Sequence, residues 1–443
     1  MAPPCGFEPM DDASVGVEQT ASASVTLGDC TIAELVDEAS APLWIWRTPT
    51  GETTIGTGEA AKIVAEGTTR FGAIQAGLES LTKRFSAGTG QPRAFMASSF
   101  FEHPPQATTP WASYPAAIAT VPSVQLHVAA TGETTLTVVD IDGETDLTAR
   151  VATERDRFEA APQSADTLPA VVDHQHYPAP ARWQATVDNL RDALANPPNE
   201  KVVLAGEKRL QLTDTPTRGA VVNALIDRHP DCWIFMHAPT AETMFVGATP
   251  ERLVSVRDGR LSTVALAGTI ARGETTAADE ALRQQLIERE HTRHEQASVV
   301  GDIVSRLGGL TNSINVGQRR IRTLTDVQHI ETPIEATLRD GVGLLDVTDR
   351  LHPTPAVGGR PRASALALIR EHETIERGWY AAPIGMLDAT GEGTLAVAIR
   401  SARIDGDHAS LFAGNGIVTS SDPTEEWEEL LLKFQAISEI FDG

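Results

Sequence analysis

The sequence predicts a mixed α and β protein whose sheets carry helices on their faces. Three observations predict it. Short apolar runs bounded by turn residues recur from about residue 42 to 145 and again from 201 to 267. Segments of helical period lie between and beyond them, near 183–194, 218–228 and 276–307. A final helix opens near Pro423 and carries Trp427, Leu430 and Phe434. Strand pairs bracketed by long helices bury their apolar faces against one another.

Taken in order, residues 1 to about 28 are small, polar and acidic and read as a frayed end. Leu43-Trp-Ile-Trp46 precedes the turn Pro49-Thr-Gly51, and Thr135–Val139 precedes Asp142-Gly143, so both read as strands. A helix interrupts them near 72–85. Glu159 to Pro180, rich in Ala, Pro and Asp, reads as a linker. Trp183, Val187, Leu190 and Leu194 then recur at helical spacing behind Pro178 and Pro180. A strand at Lys201–Ala205 leads to a helix near 218–228. Strands follow at Trp233–His237, Met244–Ala248, Leu253–Arg257 and Leu261–Ala267. One long helix spans about Thr276–Leu307, with Leu282, Leu286, Val299, Val300 and Ile303 on its apolar face. Gly385–Asp388, Leu395–Ile399 and Ser410–Ala413 are late strands.

Composition narrows the function. The 443 residues hold 60 acidic and 36 basic side chains, a net charge of −24. A nucleic-acid face needs clustered Lys and Arg, so none is expected. Only five of the basic residues are lysines: Lys62, Lys83, Lys201, Lys208 and Lys433. A carboxylate-rich, lysine-poor surface suits a salty solvent, where counterions screen self-repulsion, although plain arginine-rich codon usage also produces the skew. The three cysteines, Cys5, Cys30 and Cys232, form neither a disulfide framework nor a zinc ribbon. The first basic residue is Arg47, and no apolar run is long enough to span a bilayer, so a cytoplasmic protein with no membrane partner is expected.

Several motifs fall away. No GxGxxG follows a strand, and no P-loop occurs. Asp173-His-Gln-His176 has a metal-like composition, but its Pro-rich setting reads as a solvated loop. His291, His294 and Glu295 share one helix face, yet HExxH is absent and no third zinc ligand is evident. A serine nucleophile lacks GxSxG support.

Four segments keep their chemical interest. Lys201 opens an apolar strand; it is either a lysine snorkelling from a strand end or a partly desolvated general base. Glu251, in Thr249-Pro-Glu-Arg-Leu253, is either a solvated turn residue or a buried carboxyl able to donate a proton. Glu295 lies in Arg293-His-Glu295. Glu426 and Glu429 lie in the last helix, with Lys433 four residues beyond Glu429, a spacing that also suits a surface pair. Glycine-rich loops at Leu351–Gly359 and Phe412–Val418 can offer N–H groups to an anion. Carboxylates would repel that anion unless a hard cation such as Mg2+ lies between them.

These residues belong to a long ordered series: KVVLA at 201–205, TPERL at 249–253, ALAGT at 265–269, RHE at 293–295, VQHIETPIEA at 327–336, HPTPAVGG at 352–359, ERGWYAAPIG at 376–385, AIRSA at 398–402, and GNGIV with SDPTEEWEE up to Lys433. The series resembles the chorismate-utilising enzymes, the family of anthranilate synthase component I, and within it the isochorismate synthase branch. The resemblance is strong over about 180–437 and weaker before it, where Trp44-Ile-Trp46 and Pro110–Pro115 are the landmarks. It implies an α+β fold of two packed antiparallel-rich sheets flanked by helices, with the active site in a cleft. Residues 1–175 would complete the fold and 176–443 would form the chorismate-binding catalytic region. It also implies an isomerase: water adds at C2 of chorismate and the C4 hydroxyl leaves, reversibly, for menaquinone or siderophore synthesis. Lys201 matches the general base and Glu251 the general acid. Glu295 and Glu429 match the Mg2+-binding carboxylates, and Glu426 an outer carboxylate that holds a metal-bound water. Arg400, Gly414 and Gly416 match the groups that meet the enolpyruvyl carboxylate. Gly268, Thr269, His329, Ala356, Tyr380 and Lys433 match other pocket residues. The resemblance further implies chorismate or isochorismate as the small-molecule partner and a monomer or weak oligomer.

Lys201, Ala267 and PTPAVGG together favour isochorismate formation over the salicylate, anthranilate and aminodeoxychorismate synthases of the same scaffold, and over a non-catalytic chorismate-binding subunit. Four positions depart from the family pattern. Thr292 stands for an acidic residue, Gln296 for His, Asn415 for Ala and Ala382 for Gly.

Overall fold

A computed structural model describes residues 21–441 except 29, 84–91, 107, 142–145, 165–166, 289 and 324–326; the side chains of 21, 267, 269, 271, 290–295 and 327 also lie outside the description. The fold is α+β. Among the described residues, antiparallel pairing builds one sheet of 12 strands and one of 10, with helices packed on them. The larger sheet runs from Ala21–Thr26 through Thr53–Thr57, Leu43–Arg47, Trp233–Ala238, Thr243–Thr249, Ser401–Asp405 and His408–Ile417 to Lys201–Leu212. The smaller runs from Thr311–Val316 through Val327–Leu338, Arg260–Ala271, Arg252–Arg257, Gly393–Val397 and Pro383–Leu387 to Ala94–Ser98, Ala117–Val121 and Ala61–Ala65.

Strands from before residue 175 sit inside both sheets. Leu43–Arg47 pairs with Trp233–Ala238, and Ala94–Ser98 pairs with Pro383–Leu387. Their apolar side chains meet in an aromatic seam. Trp44 stacks on His237 with centroids 3.8 Å apart, Phe95 lies 5.7 Å from Trp44, and Tyr114 lies edge-on to Trp379 at 5.0 Å. The seam continues through Trp111 to Phe412, 5.4 Å away, and from Phe412 to Tyr380 at 5.5 Å. Such rings, buried almost completely, dominate core energetics.

The chain crosses between the sheets at two places that matter for the site. Thr243–Thr249 belongs to the larger sheet and Arg252–Arg257 to the smaller. Pro250 lies between them and has no N–H for a ladder bond. Gly393–Val397 returns from the smaller sheet to Ser401–Asp405 in the larger. The crossings are bonded to each other. The Val397 N–H donates to the Glu251 carbonyl at 2.9 Å, the Ala248 N–H donates to the Arg400 carbonyl at 3.1 Å, and the Thr249 hydroxyl donates to the Val397 carbonyl at 2.7 Å.

Helix Pro180–Leu194 buries Trp183, Val187, Leu190 and Leu194, the face its spacing predicts. Two expectations need correction. The supposed linker at 159–180 contains strand Val171–Tyr177, paired with Lys201–Leu212; the Asp173–His176 segment is therefore an exposed edge strand rather than a loop. An edge strand needs only backbone pairing on one side, so polar side chains do not prevent it. The long helix expected at 276–307 is helical over Thr276–Glu288 and Glu290–Leu307, and residue 289 lies outside the described residues. Within the supposed frayed end, Ala21–Thr26 is a strand on Thr134–Asp140, with Val25 opposite Leu136; residues 1–20, with Cys5, lie outside the described residues.

Candidate active site

Lys201 opens its strand against Gly359–Arg360 on one side, while Val202 and Val203 pair with Ile417 and Gly416 on the other. Two glycines shape its place. A Cβ on Gly359, at φ +121°, would strike the Lys201 carbonyl. A Cβ on Gly416 would collide with Lys201 Cε and lie 2.9 Å from Nζ, so the lysine stem runs directly over that glycine. Gly414 is similarly close to Tyr380: a Cβ there would lie 3.1 Å from the phenol oxygen.

Glu251 sits on the first crossing, partly buried. Burial pushes its carboxyl up to about 7, against the opposing pull of the Arg322 and Lys201 charges. Those charges place the carboxyl and the lysine in one electrostatic neighbourhood. Arg400 sits on the second crossing with φ 48°, a left-handed conformation that costs a non-glycine residue energy.

Cations gather about His329. Burial, then the charges of Arg400, Arg322 and Lys433, hold His329 down to about 4, so its imidazole is neutral at physiological pH. A hydrogen bond joins His329 to the Gly268 backbone and opposes that shift. Gly268, at φ 73°, lies at a register irregularity between Ala267 and Thr269. Burial pushes the Tyr380 phenol up, so it stays protonated.

The last helix supplies the carboxylates. Asp422 caps it, accepting from the N–H groups of Thr424 and Glu425 at 2.9 and 3.1 Å, and Pro423 fits its first turn. Glu426, Glu429 and Lys433 then follow at one-turn steps along the helix. Lys433 Nζ donates to the Gly414 carbonyl at 2.8 Å and to Asn415 Oδ1 at 2.9 Å, and it pairs with Glu429 at 2.8 Å. Glu426 accepts from Ser421 Oγ at 2.7 Å and from Asn415 Nδ2 at 3.1 Å. Burial, aided by the Glu429 charge, raises the Glu426 carboxyl. Two neighbouring carboxylates that already draw an ammonium are an all-oxygen donor set suited to a hard divalent cation.

The structure thus brings together Lys201 with Gly416, Glu251 with Lys201, Gly268, His329, Arg400 and Lys433, and Gly414 with Tyr380 and Lys433. Ala356 lies half-buried on the turn where Val357 and Gly358 donate to the Thr354 carbonyl. The side chains of Thr269 and Glu295 lie outside the described residues, as do those of His291, Thr292 and His294. Among the described residues, no group of three or more His, Cys, Asp or Glu side chains converges on a metal position. Gln296, by contrast, is buried and donates to the Ala265 carbonyl at 2.9 Å and to Thr332 Oγ1 at 2.8 Å, tying its helix to the sheet.

Sequence reasoning missed two arginines. Arg322, in strand Arg320–Thr323, reaches Glu331 at 3.5 Å and acts on both Glu251 and His329. Arg377 is buried, pairs with Glu373 at 2.7 Å and donates to the Val203 and Val357 carbonyls at 2.7 and 2.8 Å. Glu373 in turn accepts from the Ala205 N–H at 2.8 Å, so this pair fastens the Lys201 strand to the Pro353–Gly359 loop. ERGWY quotes Arg377, but its partners are distant in sequence.

The chain is similar in sequence and in fold to proteins already known. The salicylate biosynthesis isochorismate synthase of Pseudomonas aeruginosa is 41% identical over 263 residues, and isochorismate synthase MenF of Bacillus subtilis is 36% identical over 262. Each match spans 59% of this chain and 55% of the relative. The solved structure of MenF, the menaquinone-specific isochorismate synthase from Escherichia coli, superposes with a TM-score of 0.81 over 96% of this chain and 95% of that one; at 24% identity this likeness bears on the fold. No helix among the described residues is long and apolar enough to cross a membrane. The family model for chorismate binding enzymes matches residues 17–442, and the chain belongs to that family.

Proposed function

We propose that the chain is an isochorismate synthase that uses Mg2+. The observation that carries the reading is the partly buried Glu251 carboxyl, held up to about 7 at the sheet crossing and within electrostatic reach of Lys201. An acid and a base within electrostatic reach of each other suit a reaction that removes a proton from water and delivers one to a leaving hydroxyl. The names of the Pseudomonas and Bacillus relatives support the same reading.

In this scheme Lys201 Nζ takes a proton from water as its oxygen bonds to C2. The ring double bonds shift, the C4–O bond breaks, and Glu251 gives its proton to the departing hydroxyl, which leaves as water. Substrate and product are isomers, and the reverse step exchanges the roles of the two residues. Arg400, with the Gly414 and Gly416 backbone, receives the enolpyruvyl carboxylate, for which a planar guanidinium fork is apt. Gly268, Thr269, His329, Ala356, Tyr380 and Lys433 line the pocket. Neutral His329 adds a hydrogen-bonding group without another charge. Glu295 and Glu429 would hold the cation, with Glu426 behind a bound water; when bound, Mg2+ neutralises the ring carboxylate against the protein's own acids.

Purified chain given chorismate and Mg2+ tests the roles. Lys201→Ala and Glu251→Gln should each lose at least about a hundredfold in turnover, as positioned acid–base groups do. Near-normal turnover in either variant would remove that residue from the scheme. A protein adapted to a salty cytoplasm, feeding menaquinone or siderophore synthesis, completes the proposal.

A further inference from the structure

Resting on the Mg2+ reading above, we propose that Asn415 is a positioning residue that sets Glu426 and Lys433 for the cation and the substrate carboxylate. Asn415 is fully buried between Gly414 and Gly416, on strand His408–Ile417. Its side chain is used at both ends. Nδ2 donates to the Glu426 carboxylate at 3.1 Å and to the Glu426 carbonyl at 2.6 Å. Oδ1 accepts from Lys433 Nζ at 2.9 Å.

The polarity is dictated by the partners. A flipped amide would set N–H groups against the ammonium and an oxygen against the carboxylate. Aspartate would repel Glu426, and an aliphatic residue would leave both partners short of a bond. Asparagine offers an acceptor to the partly exposed ammonium and two donors to Glu426 from one side chain.

The consequence is a fixed carboxylate. Glu426 is held from two sides, by Asn415 on one oxygen and Ser421 on the other. It is thereby prevented from turning away from Glu429, whose like charge opposes it. Lys433 is anchored to Asn415 and the Gly414 carbonyl, so its pairing with Glu429 can be exchanged without the lysine leaving the pocket. One side chain therefore links the residues on the cation side to those on the substrate side. Groups that orient a metal's ligands commonly alter affinity about ten- to a hundredfold when removed.

A double-mutant cycle read by calorimetric titration of Mg2+ alone into the full chain tests this. Asn415→Ala should raise the Mg2+ dissociation constant about tenfold. In a Glu426→Ala background the same substitution should change it by less than about twofold, because the group through which Asn415 acts is gone. Ser421→Ala, which removes the bond to the other Glu426 oxygen, should weaken binding in the same direction and lose its effect in the same background; it serves if Asn415→Ala fails to fold. An unchanged constant in Asn415→Ala, or an equal loss in both backgrounds, would overturn the proposal and leave a packing role. An unsubstituted chain that binds no Mg2+ would overturn the cofactor reading with it, whereas normal binding by the unsubstituted chain and by both single variants would overturn this inference alone.

Discussion

Glu251 carries opposite consequences for chemistry and for stability. A carboxyl titrating near 7 is still largely protonated just below neutrality and can act as an acid. Its folded pKa lies above the ordinary 4.5, so the folded state favours the proton. Its contribution is fully present below about pH 4.5 and is lost as pH rises through about 7. Glutamine cannot ionise, so Glu251→Gln should gain stability relative to the unsubstituted chain at pH 8 and gain less at pH 5.5. Urea midpoints at the two values check this; a gain independent of pH would show that ionisation of Glu251 is not the cause. At this scale the sequence was informative about identities and silent about neighbours. Lys201 and Glu251 stand at strand ends inside long motifs, so both could be named as candidates. Arg322 could not, because its action on Glu251 and His329 depends on strand pairing across a sheet.

At the scale of elements, the glycines of strand His408–Ile417 act as a template. Gly416 leaves the channel that the Lys201 stem occupies, and its φ is not left-handed, so alanine fits the backbone. The added methyl would press on the flexible end of the lysine and move the ammonium. Gly416→Ala should keep the fold and melting temperature within a few degrees while turnover falls about a hundredfold, the cost of misplacing a reacting group by about 1 Å. A large fall in melting temperature with normal turnover would contradict the template role. Long helices with clear caps, such as Pro180–Leu194 and Pro423–Ser438, were readable because periodicity and capping are local. Strand Val171–Tyr177 was not, since the ladder that supports it runs to Lys201–Leu212, residues about 30 positions on. The two crossings were hidden for a similar reason: TPERL and AIRSA are each short apolar–polar runs, and only tertiary pairing reveals that each changes sheet.

For the whole molecule, the net charge of −24 and the chemistry are in tension, since an anionic chain is to capture a dianion. Arg322, Arg400 and Lys433 gather positive charge about His329, and two of the five lysines, Lys201 and Lys433, fall at the site. The remaining carboxylates repel one another over the surface. Molar salt shortens the screening length to about 3 Å, which relieves surface repulsion more than it weakens partly buried pairs. Melting temperature and turnover should therefore both rise between dilute buffer and molar KCl; equal values in both would refute salt adaptation while leaving the chemistry untouched. The chemistry itself has a more direct test. In water enriched in oxygen-18, with chorismate and Mg2+, the earliest isochorismate formed should carry one label on its C2 hydroxyl, with no ammonia required and no pyruvate released. Unlabelled isochorismate, or pyruvate appearing in step with chorismate loss, would contradict water addition at C2 as this chain's reaction.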